Sequence, residues 1–238
     1  MAGGAAHPGR PRIDAGAGGC HGLRRDPTGR ARPGAGRHRR GAAAVSVEAI
    51  LLAGGRGSRV DGAAKPLFRV GGTTLLAAAI AAARAGGAER IVVAAPVLDP
   101  ALDVEWVRED PPFGGPVAAV VAALATVRAD EVLLLACDLV SPAGALAALP
   151  PIAPESDGVC LGSDGRPQWL TGRYRTAALR CVASGLENGG RDAAMRTLLG
   201  GLRIALVDAP AEVSRDIDTW DDLTAAGGSA ACEPEEEP

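Results

Sequence analysis

An apolar run from Val45 to Leu52 stops at a glycine-rich turn, Leu52-Ala53-Gly54-Gly55-Arg56-Gly57-Ser58-Arg59-Val60-Asp61-Gly62-Ala63-Ala64-Lys65. No other stretch constrains the fold as much. A buried strand that ends in glycines lets backbone N–H groups approach an anion closely, because no Cβ stands in the way. The turn ends on the only lysine in 238 residues. Spacing excludes two phosphate-binding motifs. A P-loop puts its lysine directly after a glycine and a hydroxyl next, whereas Lys65 lies three residues beyond Gly62 and precedes Pro66. A dinucleotide fingerprint needs a third glycine where Val60 stands.

Downstream, strand and helix patterns alternate, which predicts an α/β protein with a mostly parallel central sheet in three layers. Strands are expected over 48–53, 90–95, 104–107, 131–137 and 202–207, with further pieces at 157–161 and 167–171 around Asp164-Gly165. The run Glu131–Cys137, EVLLLAC, is the most apolar and belongs at the centre. Thr73-Thr74 predicts a helix cap, and Gly86-Gly87 its end. Other helices are expected from Gly115 or Pro116 to about Arg128, from Ser141 to Leu149, near 175–184 and 191–199, and over 219–226. In sheets of this kind ligands bind at the carboxyl ends of the strands.

Composition narrows the function. Residues 1–45 carry nine arginines and two acids, whereas the remainder carries 16 basic and 26 acidic side chains. The folded part is therefore acidic, which argues against a nucleic-acid surface. The first 44 residues, rich in Gly, Pro, Arg and Ala, and the acidic tail 227–238 are expected to be disordered, leaving one domain over 45–226. Arg39-Arg40 before an apolar run resembles a twin-arginine signal, but cleavage there would delete strand one. No segment is long and apolar enough to span a membrane. Five scattered cysteines without C-x-x-C spacing suit a reduced, cytoplasmic protein with no zinc site.

Three further strand ends carry candidate chemistry. Asp138 directly follows the most buried strand, where a carboxylate is costly unless it is paired or binds a metal; capping the next helix is the other reading. Arg108-Glu109-Asp110-Pro111-Pro112-Phe113-Gly114-Gly115-Pro116 leads into a helix N-terminus, whose free N–H groups suit a nucleoside. Arg215-Asp216-Ile217-Asp218-Thr219 precedes the last helix, and Asp218 fits either its N-cap or a metal.

Taken together, from about Val47 to Leu223 these segments resemble nucleotidyltransferases, most closely the molybdenum cofactor guanylyltransferase branch, the MobA-like NTP transferases. The resemblance implies a Rossmann-like enzyme that uses Mg²⁺ to move GMP from GTP onto molybdenum-bound molybdopterin. It assigns Arg59 and Lys65 to the phosphates, and Leu52, Ala53, Gly54, Gly55, Asp110 and Gly115 to the nucleotide. Asp138 and Asp218 become the metal ligands. Transient contact with molybdoenzymes or other cofactor-biosynthesis proteins is implied as well. Pro167–Arg175 and Gly190–Leu199 resemble acceptor-side segments, where Arg173, Arg175 and Arg191 are either acceptor contacts or surface arginines. Departures from the pattern are Val60 and Asp61 in place of Met-Gly, Ala64 in place of an acid, Ala119 in place of a glycine, and Ala95 near a common asparagine. Two rivals stay open: a cytidylyltransferase or phospholactate-type guanylyltransferase, and a non-catalytic nucleotide-binding protein.

Overall fold

Short aliphatic runs form the strands, and alanine-rich stretches between them form the helices. The computed structural model describes residues 44–55, 60–163 and 165–230. Its strands are β1 (Val47–Leu52), β2 (Arg69–Val70), β3 (Thr73–Thr74), β4 (Arg90–Ala94), β5 (Glu105–Val107), β6 (Glu131–Ala136), β7 (Gly158–Ser163), β8 (Arg166–Arg175) and β9 (Ile204–Asp208). Its helices are α1 (Leu75–Ala85), α2 (Pro116–Leu124), α3 (Pro142–Ala147), α4 (Thr176–Ala183), α5 (Met195–Leu199) and α6 (Trp220–Ala225). Among the described residues no helix is long and apolar enough to cross a membrane.

Seven strands form one sheet in the order β5-β4-β1-β6-β8-β7-β9, with β6 in the middle as its composition requires. Only β8 runs against its neighbours; the β5-β4-β1-β6 and β7-β9 pairings are parallel. Side chains alternate across a strand, and the two layers of core follow from that. Ala49, Leu51, Leu133 and Leu135 pack on one face with Leu76, Ala79 and Ile80 of α1 and Leu146 of α3. Ile50, Val92, Val132 and Leu134 pack on the other with Val117 and Val120 of α2, Leu179 of α4 and Leu198 of α5. Each Leu, Ile or Val among them, fully buried, contributes about 1.5–3 kcal/mol.

The expected caps of α1 hold: the Thr74 hydroxyl accepts from Ala77 N–H, and Gly86 follows the last turn. Elsewhere tertiary contacts move the boundaries. Helix α2 stops at Leu124 rather than near Arg128, and the Arg180 guanidinium takes the carbonyls of Leu124 and Val127. Helix α5 starts at Met195 rather than Arg191, because Asn188, Gly189, Gly190 and Asp192 all have positive φ. The last described segment runs past Ala226: Arg69 and Ser229 exchange two backbone hydrogen bonds. The expectations for residues 1–43 and 231–238 lie outside the described residues.

The β7–β8 hairpin is longer than its two expected pieces and carries a register shift between Cys160 and Leu161. Tyr174 fills the space, fully buried, with its hydroxyl donating to Trp169 O at 2.7 Å. A Cβ built on Gly172 would sit 2.5 Å from that hydroxyl oxygen. Gly172→Ala is therefore expected to destabilise the domain by roughly 1–3 kcal/mol through overpacking. Urea denaturation checks this, and a variant as stable as the parent would show that Tyr174 has room to move.

Candidate active site

The carboxyl ends of β1, β4 and β6 open into a cavity of about 710 Å³. Its wall includes Leu52, Ala53, Gly54, Gly55, Lys65, Gly115, Asp138 and Asp218, residues drawn from four separate stretches of chain. Gly54 is needed by packing, since a Cβ there would lie 3.2 Å from Ala94 O. Gly115, with φ +89°, makes the turn into α2, and Pro116 occupies the first helical turn, where no N–H is required.

Asp138 is joined by two acids from the segment before α6. Leu139 and Asp216 form an antiparallel bridge, Val140 N–H donates to Arg215 O at 2.9 Å, and Ile217 N–H donates to Asp138 O at 2.8 Å. This short backbone zipper brings carboxylate oxygens of Asp138, Asp216 and Asp218 within 4.8 Å of one another. Burial, reinforced by repulsion from Asp216, pushes the Asp138 carboxyl up to about 6. Burial and the neighbouring Asp218 likewise raise Asp216. Three clustered carboxylates are a hard-oxygen donor set suited to a divalent cation.

Lys65 faces the same cluster. Its Nζ lies 2.9 Å from Asp218 Oδ1, and only 17% of its side chain is exposed. Asp218 is not the cap of α6: Thr219 and Asp222 form a reciprocal capping box there. With the helix end satisfied, the Asp218 carboxylate is directed to Lys65 and the cluster. Asp138 is not a helix cap either, since α3 is preceded by Ser141.

The irregular residues of the glycine loop have a structural account. Val60 is completely buried with Phe68, Leu75, Ile217 and Leu223. Asp61 takes φ +53°, a left-handed conformation that aspartate tolerates better than most residues. Its exposed carboxylate turns outward and accepts from the Trp220 indole N–H at 3.2 Å, so it does not oppose an anion in the cavity. Arg59 and Arg56 lie outside the described residues.

Other expected residues fall elsewhere. Asp110 is exposed and does not line the cavity; its neighbours Arg108 and Glu109 do. Arg173 pairs with Glu131, and Arg175 bonds the carbonyls of Ser156 and Ala153. Both sit where β8 meets the amino end of β6, the far end of the sheet from Asp138. Arg191 donates to Pro111 O, and Asp192 N–H to Gly114 O, so the 190–192 turn braces the loop before α2. Cys137 is buried, its thiol pushed well up by burial, and it serves as core rather than nucleophile. Asp216 escaped the sequence reading, although Asp216-Ile217-Asp218 alternates acid, apolar, acid, the period that places both acids on one side of an extended segment.

Similarity to known proteins agrees with this geometry. Residues 49–205 match the MobA-like NTP transferase domain. The chain is 33% identical over 165 residues to a probable molybdenum cofactor guanylyltransferase of Synechococcus elongatus, covering 62% of this chain and 81% of that protein. Among solved structures it resembles a nucleotidyl transferase from Methanothermobacter thermautotroptrophicus, with a TM-score of 0.60 and 22% identity over 76% of this chain and 95% of that one. It also resembles 2-C-methyl-D-erythritol 4-phosphate cytidylyltransferase from Thermus thermophilus, with a TM-score of 0.55 and 21% identity over 76% of this chain and 97% of that one. These two share the fold. The glycine loop and Asp138 lie within the matched residues, Asp216 and Asp218 follow them, and the chain thus belongs to the MobA-like NTP transferase family and is a nucleotidyltransferase.

Proposed function

We propose that this nucleotidyltransferase moves GMP from GTP to the terminal phosphate of molybdenum-bound molybdopterin, releasing pyrophosphate and forming the guanine dinucleotide. The observation that carries the reading is the meeting of Asp138, Asp218 and Lys65 with the glycine loop in a single cavity, with Asp216 beside the two acids. The choice of GMP and pterin rests on the Synechococcus relative, named a probable molybdenum cofactor guanylyltransferase. The nucleotidyltransferase domain is taken as residues 45–226, and the Arg69–Ser229 backbone pairing ties the segment just after it back to β2.

Each side chain then has a task. Lys65, tied to Asp218 in the free protein, moves to the triphosphate and offsets its charge. Arg59 assists from the same loop. Gly54 and Gly55 admit the triphosphate to the backbone, and Gly115 with the start of α2 receives the nucleoside. Asp138, Asp216 and Asp218 would hold Mg²⁺, which when bound neutralises charge on phosphate oxygens as pyrophosphate departs. The acceptor phosphate is already ionised at neutral pH, so no strong general base is needed. Rate enhancement comes from in-line positioning and charge compensation.

Asp138→Asn and Asp216→Asn are expected to slow turnover at least about a hundredfold with the fold intact. Lys65→Ala should raise the KM for GTP as well as slow transfer. Pyrophosphate release, measured with each nucleoside triphosphate with and without loaded molybdopterin, checks all three. CTP preference would favour the cytidylyltransferase reading, and binding without turnover the accessory one.

A pH dependence follows from Asp138, whose carboxyl rises from 3.8 to about 6 in the folded state. Because the folded form holds its proton more tightly, this group's contribution to stability is present below 3.8 and is lost as pH rises to about 6. A divalent cation binds the ionised form and reverses that loss. The rise in Tm on adding Mg²⁺ should therefore be larger at pH 7.5 than at pH 5. An equal rise at both would remove Asp138 from the metal site.

A further inference from the structure

The cavity has a second charged wall that the phosphate chemistry leaves unused. Arg108 and Phe113 both line it, on the loop that follows β5. In the strand order β5-β4-β1-β6, that loop is three strand spacings from the Asp138 end, roughly 14 Å. A nucleotide held by its phosphates near Asp138 and Lys65 therefore directs its base toward the β5 side, across the glycines of the β1 loop.

Three observations on this loop converge. Phe113 has φ +64°, an outlier for a bulky residue, yet its ring is 49% exposed rather than buried. The backbone is held in that conformation by Glu109, whose Oε1 accepts from Phe113 N–H at 2.9 Å and Gly114 N–H at 3.3 Å. The Arg108 guanidinium lies over the Phe113 ring, 5.2 Å from its centroid, and forms no ion pair among the described residues. Strained backbone persists where the surroundings over-determine it, as at ligand sites. A guanidinium resting on an aromatic face keeps its in-plane N–H donors available in a fixed fork.

We propose that Arg108 is the base-selecting residue of this site, donating its N–H fork to the O6 and N7 acceptors of a guanine base. Guanine presents two adjacent acceptors on that edge. Adenine replaces one with an amino donor, and the O2 and N3 acceptors of cytosine lie on the edge of a single smaller ring, at a different place relative to the ribose. The inference rests on the reading of the enzyme as GTP-dependent and supplies its physical basis. Phe113 acts as a positioning residue that fixes the plane of the fork.

Nucleotide dissociation constants, measured on the full chain with Mg²⁺ present, test this with GTP, ITP, 7-deaza-GTP, ATP and CTP. The parent protein should bind GTP and ITP alike, since both keep O6 and N7. It should bind 7-deaza-GTP, ATP and CTP roughly 5- to 150-fold more weakly. Arg108→Ala should bring GTP down to the level of 7-deaza-GTP while leaving CTP unchanged. Arg108→Lys should behave like the alanine variant, because a single ammonium cannot supply the fork. Equal weakening of every nucleotide in Arg108→Ala would make it a phosphate contact and overturn the proposal. So would full recovery in Arg108→Lys, or equal binding of GTP and 7-deaza-GTP by the parent. Those results leave GTP preference standing, whereas a parent that prefers CTP overturns the GTP reading itself.

Discussion

The two-stranded zipper between residues 138–140 and 215–217 carries the site. Three carboxylates within 4.8 Å repel one another, and side-chain preference alone would spread them apart. Backbone hydrogen bonds on either side of Leu139 and Asp216 fix them against that repulsion. Burial first, and the neighbouring acids second, displace the Asp138 and Asp216 carboxyls upward. Lys65 relieves part of the repulsion from the β1 side, so this charge balance joins the glycine loop to the terminal segment.

The two ends of the sheet differ in this respect. At the amino ends of β1 and β6, Glu48 and Glu131 are buried and matched by Arg90 and Arg173. Those acids are each matched by an arginine. At the carboxyl ends the described acids outnumber the cations, with one lysine facing three aspartates. Parallel strands bring the loops of β1, β4, β5 and β6 to that end together, so the imbalance is concentrated at the candidate site.

The residues of the glycine loop that depart from the family pattern belong to a small satellite core. Val60 packs with Phe68 and Ile217, and Phe68 stacks at 5.2 Å against Trp220. Asp61 bonds the same tryptophan. These side chains couple the end of the loop to α6, whose capping box in turn frees Asp218 for Lys65. The substitutions therefore anchor the loop without placing a negative charge in the cavity.

Much of this was legible in the residues alone. Alternating apolar runs specified the α/β sheet, the most apolar run its centre, and Thr74 and Gly86 the limits of α1, because burial and capping are local demands written in local sequence. The lone lysine and the acid after the central strand pointed to the candidate site for the same reason: a charge beside buried strands needs a partner. Tertiary structure decided which partner. Asp216 joined the metal-suited cluster and Asp110 stayed in solvent, because one is held by a bridge to Leu139 across 77 residues of chain and the other has no such tie. Arg173 and Arg175 likewise lie at the far end of the sheet from Asp138, since β8 runs antiparallel and carries them to the amino end of β6. Strand direction and long-range pairing depend on contacts far apart in the chain, and no local pattern encodes them.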